Sequence, residues 1–200
     1  MPSRNVAILI FNDVELLDFC GPYEVFSVTG KRDNLNPFNV YTVAEKAAPI
    51  LTSNQLSVNP HYDFSNCPNT DIVVIPGGLG SRTEMNNRVL LDWVIGVSQR
   101  AELVLSVCTG ALILAKAGLL KGLSATTHHN AISLLKEIAP DATVYEDKRF
   151  VDNGRIILSA GISAGIDMSF YAVAKLLGEK QARETAYHME YDWKPGVLSA

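Results

Sequence analysis

A single cysteine lies where a buried strand gives way to a helix. In "LVLSVCTGALILAKAG" (103–118), a β-branched apolar run is followed by a run rich in alanine and leucine, and Cys108 occupies the join. A sharp strand-to-helix turn of the nucleophile-elbow type needs small residues two positions either side of its apex, and Ser106 and Gly110 are small. The pattern predicts a nucleophile at the mouth of a sheet, although a small apolar filler at a tight turn would give the same local sequence.

The chemistry of Cys108 depends on its ionisation. An ordinary cysteine has a pKa of about 8.5 and is only about 3% thiolate at neutral pH. A helix N-terminus beginning at Thr109 would favour the anion, and a pKa lower by two or three corresponds to about 3–4 kcal/mol. We therefore predict that Cys108 is largely thiolate in the folded protein.

A glycine pair follows another buried strand and could serve the same site. In "IPGGLGS" (75–81) the backbone N–H groups can point toward the edge of the sheet where the cysteine is expected. The amides of Gly78 and Thr109 would then form an anion hole for charge developing on a substrate. Taken alone, Pro-Gly-Gly is only a turn signal.

An acidic pair after the first strand offers a proton carrier. Glu15 and Asp18 lie three residues apart in "DVELLDFCGPYEVF", and the residues around Asp18 are apolar. A carboxyl group in apolar surroundings has a raised pKa, so it can hold a proton and donate it to a thiolate or a substrate. Asp18 as the cap of a helix beginning near Phe19 is the alternative. The sequence leaves open whether Asp18 or Glu15 faces the thiol.

The elements that must position these residues alternate along the chain. Continuous apolar runs are typical of strands buried on both faces of a parallel sheet, and helix-period stretches separate them. The predicted strands are 5–11, 71–76 and 102–107, with two or three short strands in 38–60 and a hairpin in 148–161. The predicted helices are 15–29, 84–99, 109–118, 128–138, 164–177 and 179–190, with Gly21 and Pro22 expected to interrupt the first. This order predicts an α/β fold with right-handed crossovers.

Composition narrows the class of protein. The 200 residues are 48% hydrophobic and show no linker-like stretch, which predicts one domain over 1–200. A net charge of −4 without a basic cluster disfavours nucleic-acid binding. The N-terminal apolar run is too short for a signal peptide or a membrane span, and three dispersed cysteines fit a reducing, cytoplasmic compartment. The cysteine and histidine spacings match no metal-binding pattern, so we expect no metal.

Four stretches together resemble the DJ-1/PfpI (ThiJ) superfamily in order and spacing, over residues 5 to about 192. They are "DVELLDFCGPYEVF", "DIVVIPGG", "VLSVCTGALILAKAGLLKGLSATTHHNA" and "SAGISAGIDMSFYAVAKLLGEKQA". Within the superfamily they are most similar to isocyanide (isonitrile) hydratases and to sensor-like domains of AraC-type regulators. The resemblance implies a flavodoxin-like, class I glutamine-amidotransferase-like three-layer sandwich, with helices on both faces of a mostly parallel sheet. It also implies a homodimer that acts on a small molecule without a cofactor.

The same resemblance assigns roles to individual residues. It implies Cys108 as nucleophile, Asp18 as its acidic partner, Gly78 and Thr109 as oxyanion-hole or pocket residues, and His128 as a neighbour of the cysteine. The chain departs from peptidase-like relatives, which carry a histidine directly after the cysteine, where this chain has Thr109. A Cys-His dyad of that kind is therefore not expected.

Three functions follow as hypotheses. The leading one is hydration of an isocyanide to an N-substituted formamide, in which Cys108 attacks the terminal carbon, Asp18 handles the proton and Thr109 helps to position water. The second is glyoxalase or deglycase action, with His128 as the proton carrier. The third is a redox- or metabolite-sensing dimer whose thiolate oxidises to sulfinate. We expect no self-contained transcription factor, because no helix-turn-helix segment follows residue 192.

Overall fold

A seven-stranded sheet forms the centre of the fold within residues 3–195, the part of the chain that the computed structural model describes. The strands are β1 (Arg4–Leu9), β2 (Phe38–Ala44), β3 (Ile50–Leu51), β4 (Ser57–Val58), β5 (Tyr62–Asp63), β6 (Ile72–Ile75), β7 (Leu103–Ser106), β8 (Ser124–Ala125), β9 (Thr143–Val144), β10 (Phe150–Asp152) and β11 (Ile156–Ser159). The central sheet has the order β10-β11-β7-β6-β1-β2-β5 and is parallel except for β10. β3 pairs with β4, and β8 pairs with β9, in two small separate sheets.

Helices cover both faces of the sheet, as expected for a flavodoxin-like sandwich. They are α1 (Leu16–Val28), α2 (Ser81–Glu84), α3 (Arg88–Arg100), α4 (Gly110–Lys116), α5 (Ile132–Ile138), α6 (Ala164–Leu177) and α7 (Glu179–His188). α6 packs against α1 and α7, whereas α4 packs against α2, α3 and α5. Among residues 3–195, no helix has both the length and the apolar character needed to cross a membrane.

The middle strands are buried along their whole length, which explains their unbroken apolar sequence. Every residue of β6, β7 and β11 is buried. Strands covered on both faces have no solvent side, so they show no alternation of polar and apolar residues. The three predicted buried strands are confirmed: β6 and β7 are one residue shorter at each end, and β1 begins one residue earlier and ends two residues earlier than predicted. The predicted hairpin is the antiparallel pair of β10 and β11.

Helix boundaries show where local sequence was misleading. The predicted helix 84–99 is α3, which begins only at Arg88, because the Asn87 side chain caps it by accepting from the N–H groups of Val89 and Leu90. The short α2, which ends at Glu84, is a separate helix. The expected interruption of α1 is wrong, since α1 continues through Gly21 and Pro22. Tertiary packing outweighs the missing N–H of Pro22, because Gly21 lets α1 approach α6 so closely that a β-carbon there would lie 2.8 Å from Ile166. The short strands β5, β8 and β9 were not predicted, because two-residue strands carry no periodicity.

Candidate active site

Cys108 occupies the apex of a sharp turn between β7 and α4. Its φ of 57° lies in the left-handed region, which costs conformational energy for a residue with a β-carbon. The Cys108 N–H donates to the Ala160 carbonyl at 3.2 Å, and its carbonyl accepts from Thr127 Oγ1 at 2.7 Å. Gly110 allows the turn, because a β-carbon there would lie 2.0 Å from the Ile75 carbonyl oxygen. The predicted elbow is confirmed, and it leaves the Cys108 residue only 5% exposed.

Asp18 lies in the first turn of α1 with its side chain wholly buried. Its Oδ2 accepts from the Gly77 N–H at 3.0 Å, whereas Oδ1 has no hydrogen-bond partner of standard geometry within residues 3–195. Burial raises the pKa of Asp18 to about 7, against opposing contacts from the Gly77 N–H and the Cys108 thiol. The predicted raised pKa is therefore confirmed, and with it a carboxyl group able to hold a proton near neutrality.

The structure also decides between the two acidic candidates. The Asp18 charge raises the pKa of Cys108, which shows that Asp18 is the acid beside the thiol. Glu15 is half-buried at the N-cap position of α1, and its charge raises the pKa of Asp18. The capping alternative for Asp18 is wrong, because α1 begins at Leu16 and the Asp18 carboxyl accepts instead from the loop after β6.

The prediction that Cys108 is largely thiolate is wrong for this arrangement. Burial and the neighbouring Asp18 carboxylate raise the pKa of Cys108 to about 12, although the N–H groups of Thr109 and Ile162 act in the opposite direction. One amide at the start of the seven-residue α4 and one from the segment between β11 and α6 do not replace the lost hydration of a buried anion. The thiol is therefore neutral near pH 7.

The two groups form a coupled pair. A carboxylate raises the pKa of the thiol beside it, and that effect disappears when the carboxyl is protonated. Below a pH of about 7, both Asp18 and Cys108 carry a proton, and above it the first proton leaves Asp18. The pair can therefore take up or release one proton near neutral pH while the sulfur stays protonated.

The Gly78 amide does not form the expected anion hole in this arrangement. Its N–H donates to Thr109 Oγ1 at 3.0 Å, and Ser81 Oγ donates to the same hydroxyl at 2.9 Å. The Thr109 hydroxyl thus holds the glycine loop against the elbow and is already occupied. The donors that act on the sulfur are the N–H groups of Thr109 and Ile162, so Ile162 takes the place that we predicted for Gly78.

Ile162 is the site residue that sequence reasoning missed. It belongs to the segment 160–163 between β11 and α6, and its φ is 53°. A β-branched residue in the left-handed region is a genuine outlier, and such strain is concentrated at functional sites. β11 lies beside β7 in parallel, so the segment after β11 reaches the same edge of the sheet as Cys108. The glycine-spaced "SAGISAG" was a signal, but only the strand order connects it with the cysteine.

The histidines lie at the rim of the site. The His128 ring packs against Gly161, where a β-carbon would approach the ring to 2.3 Å, and its Nδ1 accepts from the Asn130 N–H at 3.2 Å. Burial and the charges of His129 and Arg82 lower the pKa of His128. Within residues 3–195, His128 makes no hydrogen bond to the cysteine, and no three His, Cys, Asp or Glu side chains converge as a metal ion would require.

Comparisons with known proteins identify relatives of this chain. The model of the DJ-1/PfpI family matches residues 4–175. Isonitrile hydratase from Pseudomonas putida is 34% identical over 189 residues, which are 94% of this chain and 79% of that protein. The HTH-type transcriptional regulator GbdR of Pseudomonas aeruginosa is 22% identical over 90% of this chain and 48% of its own length. A crystal structure of a ThiJ/PfpI family protein from Pseudomonas syringae superposes with a TM-score of 0.87, at 29% identity, over 98% of this chain and 78% of that one.

The matched region contains β1 with the Asp18 helix, the glycine loop, the cysteine elbow and most of α6. All the elements that hold the thiol and the carboxyl are therefore elements shared with the family model. The chain belongs to the DJ-1/PfpI family.

Proposed function

We propose that this protein hydrates an isocyanide to an N-substituted formamide, with Cys108 as nucleophile and Asp18 as proton carrier. The observation that carries the proposal is Asp18 Oδ1, an oxygen of a wholly buried carboxyl that has no hydrogen-bond partner of standard geometry within residues 3–195 and that lies beside a buried neutral thiol. Buried polar atoms in native proteins are normally satisfied, and an exception next to a nucleophile fits a group that receives a proton during the reaction. The 34% identity to an isonitrile hydratase supports the same reaction.

A neutral thiol beside the Asp18 carboxyl suits an isocyanide, because the terminal carbon of R–N≡C needs both a proton and a nucleophile. In the first step the Cys108 sulfur bonds to that carbon. The thiol proton passes through the Asp18 carboxylate to the same carbon and gives the thioimidate R–N=CH–S–Cys108. No net charge has to be created in the buried site, so this step avoids the cost of a free thiolate.

Water then resolves the thioimidate. Asp18 takes a proton from water, whose oxygen adds to the carbon, and the proton goes to the nitrogen. The resulting R–NH–CH(OH)–S–Cys108 releases the thiol when the C–S bond breaks and the hydroxyl proton returns to sulfur through Asp18. The sum is one isocyanide and one water converted to R–NH–CHO. We propose that the N–H groups of Thr109 and Ile162 stabilise the sulfur when it carries partial negative charge.

The other two hypotheses receive less support. Peroxide sensing requires an accessible thiolate, whereas Cys108 is 5% exposed and has a raised pKa. Glyoxalase action through His128 requires that histidine to carry a proton to or from the Cys108 sulfur. Its Nδ1 is instead engaged with the Asn130 N–H.

The test is turnover of an alkyl isocyanide by purified protein, with formamide followed by NMR. We expect formamide from the wild-type chain and none above background from Cys108→Ala. Cys20→Ala and Cys67→Ala are matched controls, because both replace half-buried free cysteines outside the site, and they should keep wild-type rates. Turnover that survives Cys108→Ala, or lactate from methylglyoxal without any formamide, would contradict the proposal.

A further inference from the structure

The segment 160–163 carries the strained Ile162 that reaches the reacting pair, and its neighbours hold it at both ends. The Ala160 carbonyl accepts from the Cys108 N–H at 3.2 Å, and the Ala160 N–H donates to the Arg149 carbonyl at 2.9 Å. At the other end, Arg149 Nη2 donates to Ser163 Oγ at 3.3 Å. Arg149, the residue just before β10, therefore contacts both ends of the segment. Its backbone carbonyl binds Ala160, and its guanidinium binds Ser163.

The guanidinium of Arg149 is itself fixed by a buried acid. Its Nε and Nη2 both pair with Oδ2 of Asp167, in the first turn of α6. The Asp167 side chain is 10% exposed, and its Oδ1 accepts from the Tyr191 hydroxyl at 3.0 Å. A planar guanidinium with several donors can hold a carboxylate and a hydroxyl at once. The cluster of Arg149, Asp167 and Tyr191 thus has a second connection, through Ser163, to the active-site segment.

We infer that Arg149, held by Asp167, is a positioning residue that keeps the segment 160–163 in the backbone conformation that presents the Ile162 N–H to Cys108 and Asp18. A left-handed isoleucine persists only where its surroundings over-determine it, and the contacts of Arg149 at Ala160 and Ser163 supply that constraint. The inference rests on the proposed function in taking Cys108 and Asp18 as the reacting pair. The Ile162 N–H lowers the pKa of both groups, so its displacement should raise both.

The experiment measures how fast iodoacetamide labels Cys108 across the pH range, without any isocyanide. Trypsin releases residues 101–116 as a peptide in which Cys108 is the sole cysteine, so mass spectrometry separates its labelling from that of the other two. We expect Arg149→Met to move the labelling curve to higher pH and to slow labelling at pH 8.5 by about tenfold, the effect of a pKa higher by one. In an active protein, the midpoint of the turnover profile should also move upward, because Asp18 loses the same N–H group.

The matched control is Lys175→Met. Lys175 pairs with Asp152 at 2.7 Å, and so joins β10 to the other end of α6 in the way that Arg149 and Asp167 join them near the active site. Its loss should lower stability without moving the labelling curve. If Arg149→Met and Lys175→Met change only stability, the ion pair is structural and the positioning role is wrong.

Two further variants separate position from charge and from misfolding. Ser163→Ala removes the hydroxyl contact with Arg149 but leaves the charges of Arg149 and Glu15 unchanged. It should therefore shift the labelling curve in the same direction by a smaller amount. A shift in Arg149→Met with none in Ser163→Ala would assign the effect to charge and overturn the inference.

Arg149→Met/Asp167→Asn avoids an unpaired buried carboxylate and should reproduce the shift if the single variant does not fold. A labelling shift in a protein without isocyanide turnover would leave the inference standing and contradict the proposed function.

Discussion

Two buried aspartates at the start of two helices have opposite environments. Asp18, in the first turn of α1, is 0% exposed, and its one protein donor of standard geometry in the described part of the chain is the Gly77 N–H. Asp167, in the first turn of α6, is 7% exposed, and both of its oxygens have donors, from Arg149 and Tyr191. Both positions are ones where a helix dipole favours an acid, so the dipole does not explain the difference.

The contrast shows how one residue type serves chemistry in one place and architecture in another. A carboxylate that accepts from a guanidinium and a hydroxyl on its two oxygens forms strong charge-assisted hydrogen bonds that hold neighbouring segments together. A buried carboxylate without a cation is unstable as an anion and exchanges its proton near neutral pH. We therefore propose proton transfer as the role of Asp18 and positioning as the role of Asp167.

The largest effect that would separate the two acids is on turnover. Asp18→Asn keeps an acceptor for the Gly77 N–H but cannot carry a proton, so kcat/KM for an alkyl isocyanide should fall by about 10²- to 10⁴-fold, the usual contribution of a general acid–base. Asp167→Asn should cost no more than about tenfold, since it acts through the segment 160–163. Steady-state kinetics on both variants checks the difference, and equal losses would erase the distinction.

Stability should respond to pH with a sign set by Asp18. The pKa of Asp18 is about 7 in the fold and about 3.9 in an unfolded chain, so between those values the folded state binds more protons. The free energy of unfolding therefore decreases as pH rises and levels off above pH 7. The ionised Asp18 lowers it by about 4 kcal/mol in total. Relative to wild type, Asp18→Asn should gain about that much between pH 4 and pH 8.

Urea unfolding at the two pH values measures this gain. Asp167→Asn provides the contrast, because it breaks the ion pair with the half-exposed Arg149. Its free energy of unfolding at pH 8 should be lower than that of the wild type by about 1–3 kcal/mol. A wild-type curve that is flat between pH 4 and pH 8 would mean that Asp18 is not the uncompensated acid.

The smallest expected effect is on the reactivity of the thiol. The Asp18 carboxylate raises the pKa of Cys108, so Asp18→Asn should lower it and speed iodoacetamide labelling at pH 8.5 by about tenfold for each step of one in pKa. The variant with the largest expected loss of turnover should thus have the more reactive cysteine. Slower labelling in Asp18→Asn would show that the carboxyl assists ionisation of the sulfur and would contradict the neutral-thiol pair.

Much of the fold could be predicted from the chain because its signals are local. Fully buried strands such as β6 and β7 require continuous apolar runs, and α6 was predicted with its observed ends. The strands β5, β8 and β9 and the continuation of α1 through Pro22 could not be predicted, because tertiary packing decides them. The elbow at Cys108 was also predictable, because small neighbours on both sides are a local steric requirement.

By itself, the sequence determined which groups could do chemistry: one cysteine at the apex of a turn, and an acid in apolar surroundings after the first strand. Only the tertiary structure decided their state. Placing β11 beside β7 brings Ile162 to the thiol. Burial of Cys108 and the charge of Asp18 keep the sulfur protonated, and burial of Asp18 raises the pKa of the carboxyl to about 7. The physical reason is that ionisation depends on lost hydration and on donors from distant segments, neither of which local spacing records.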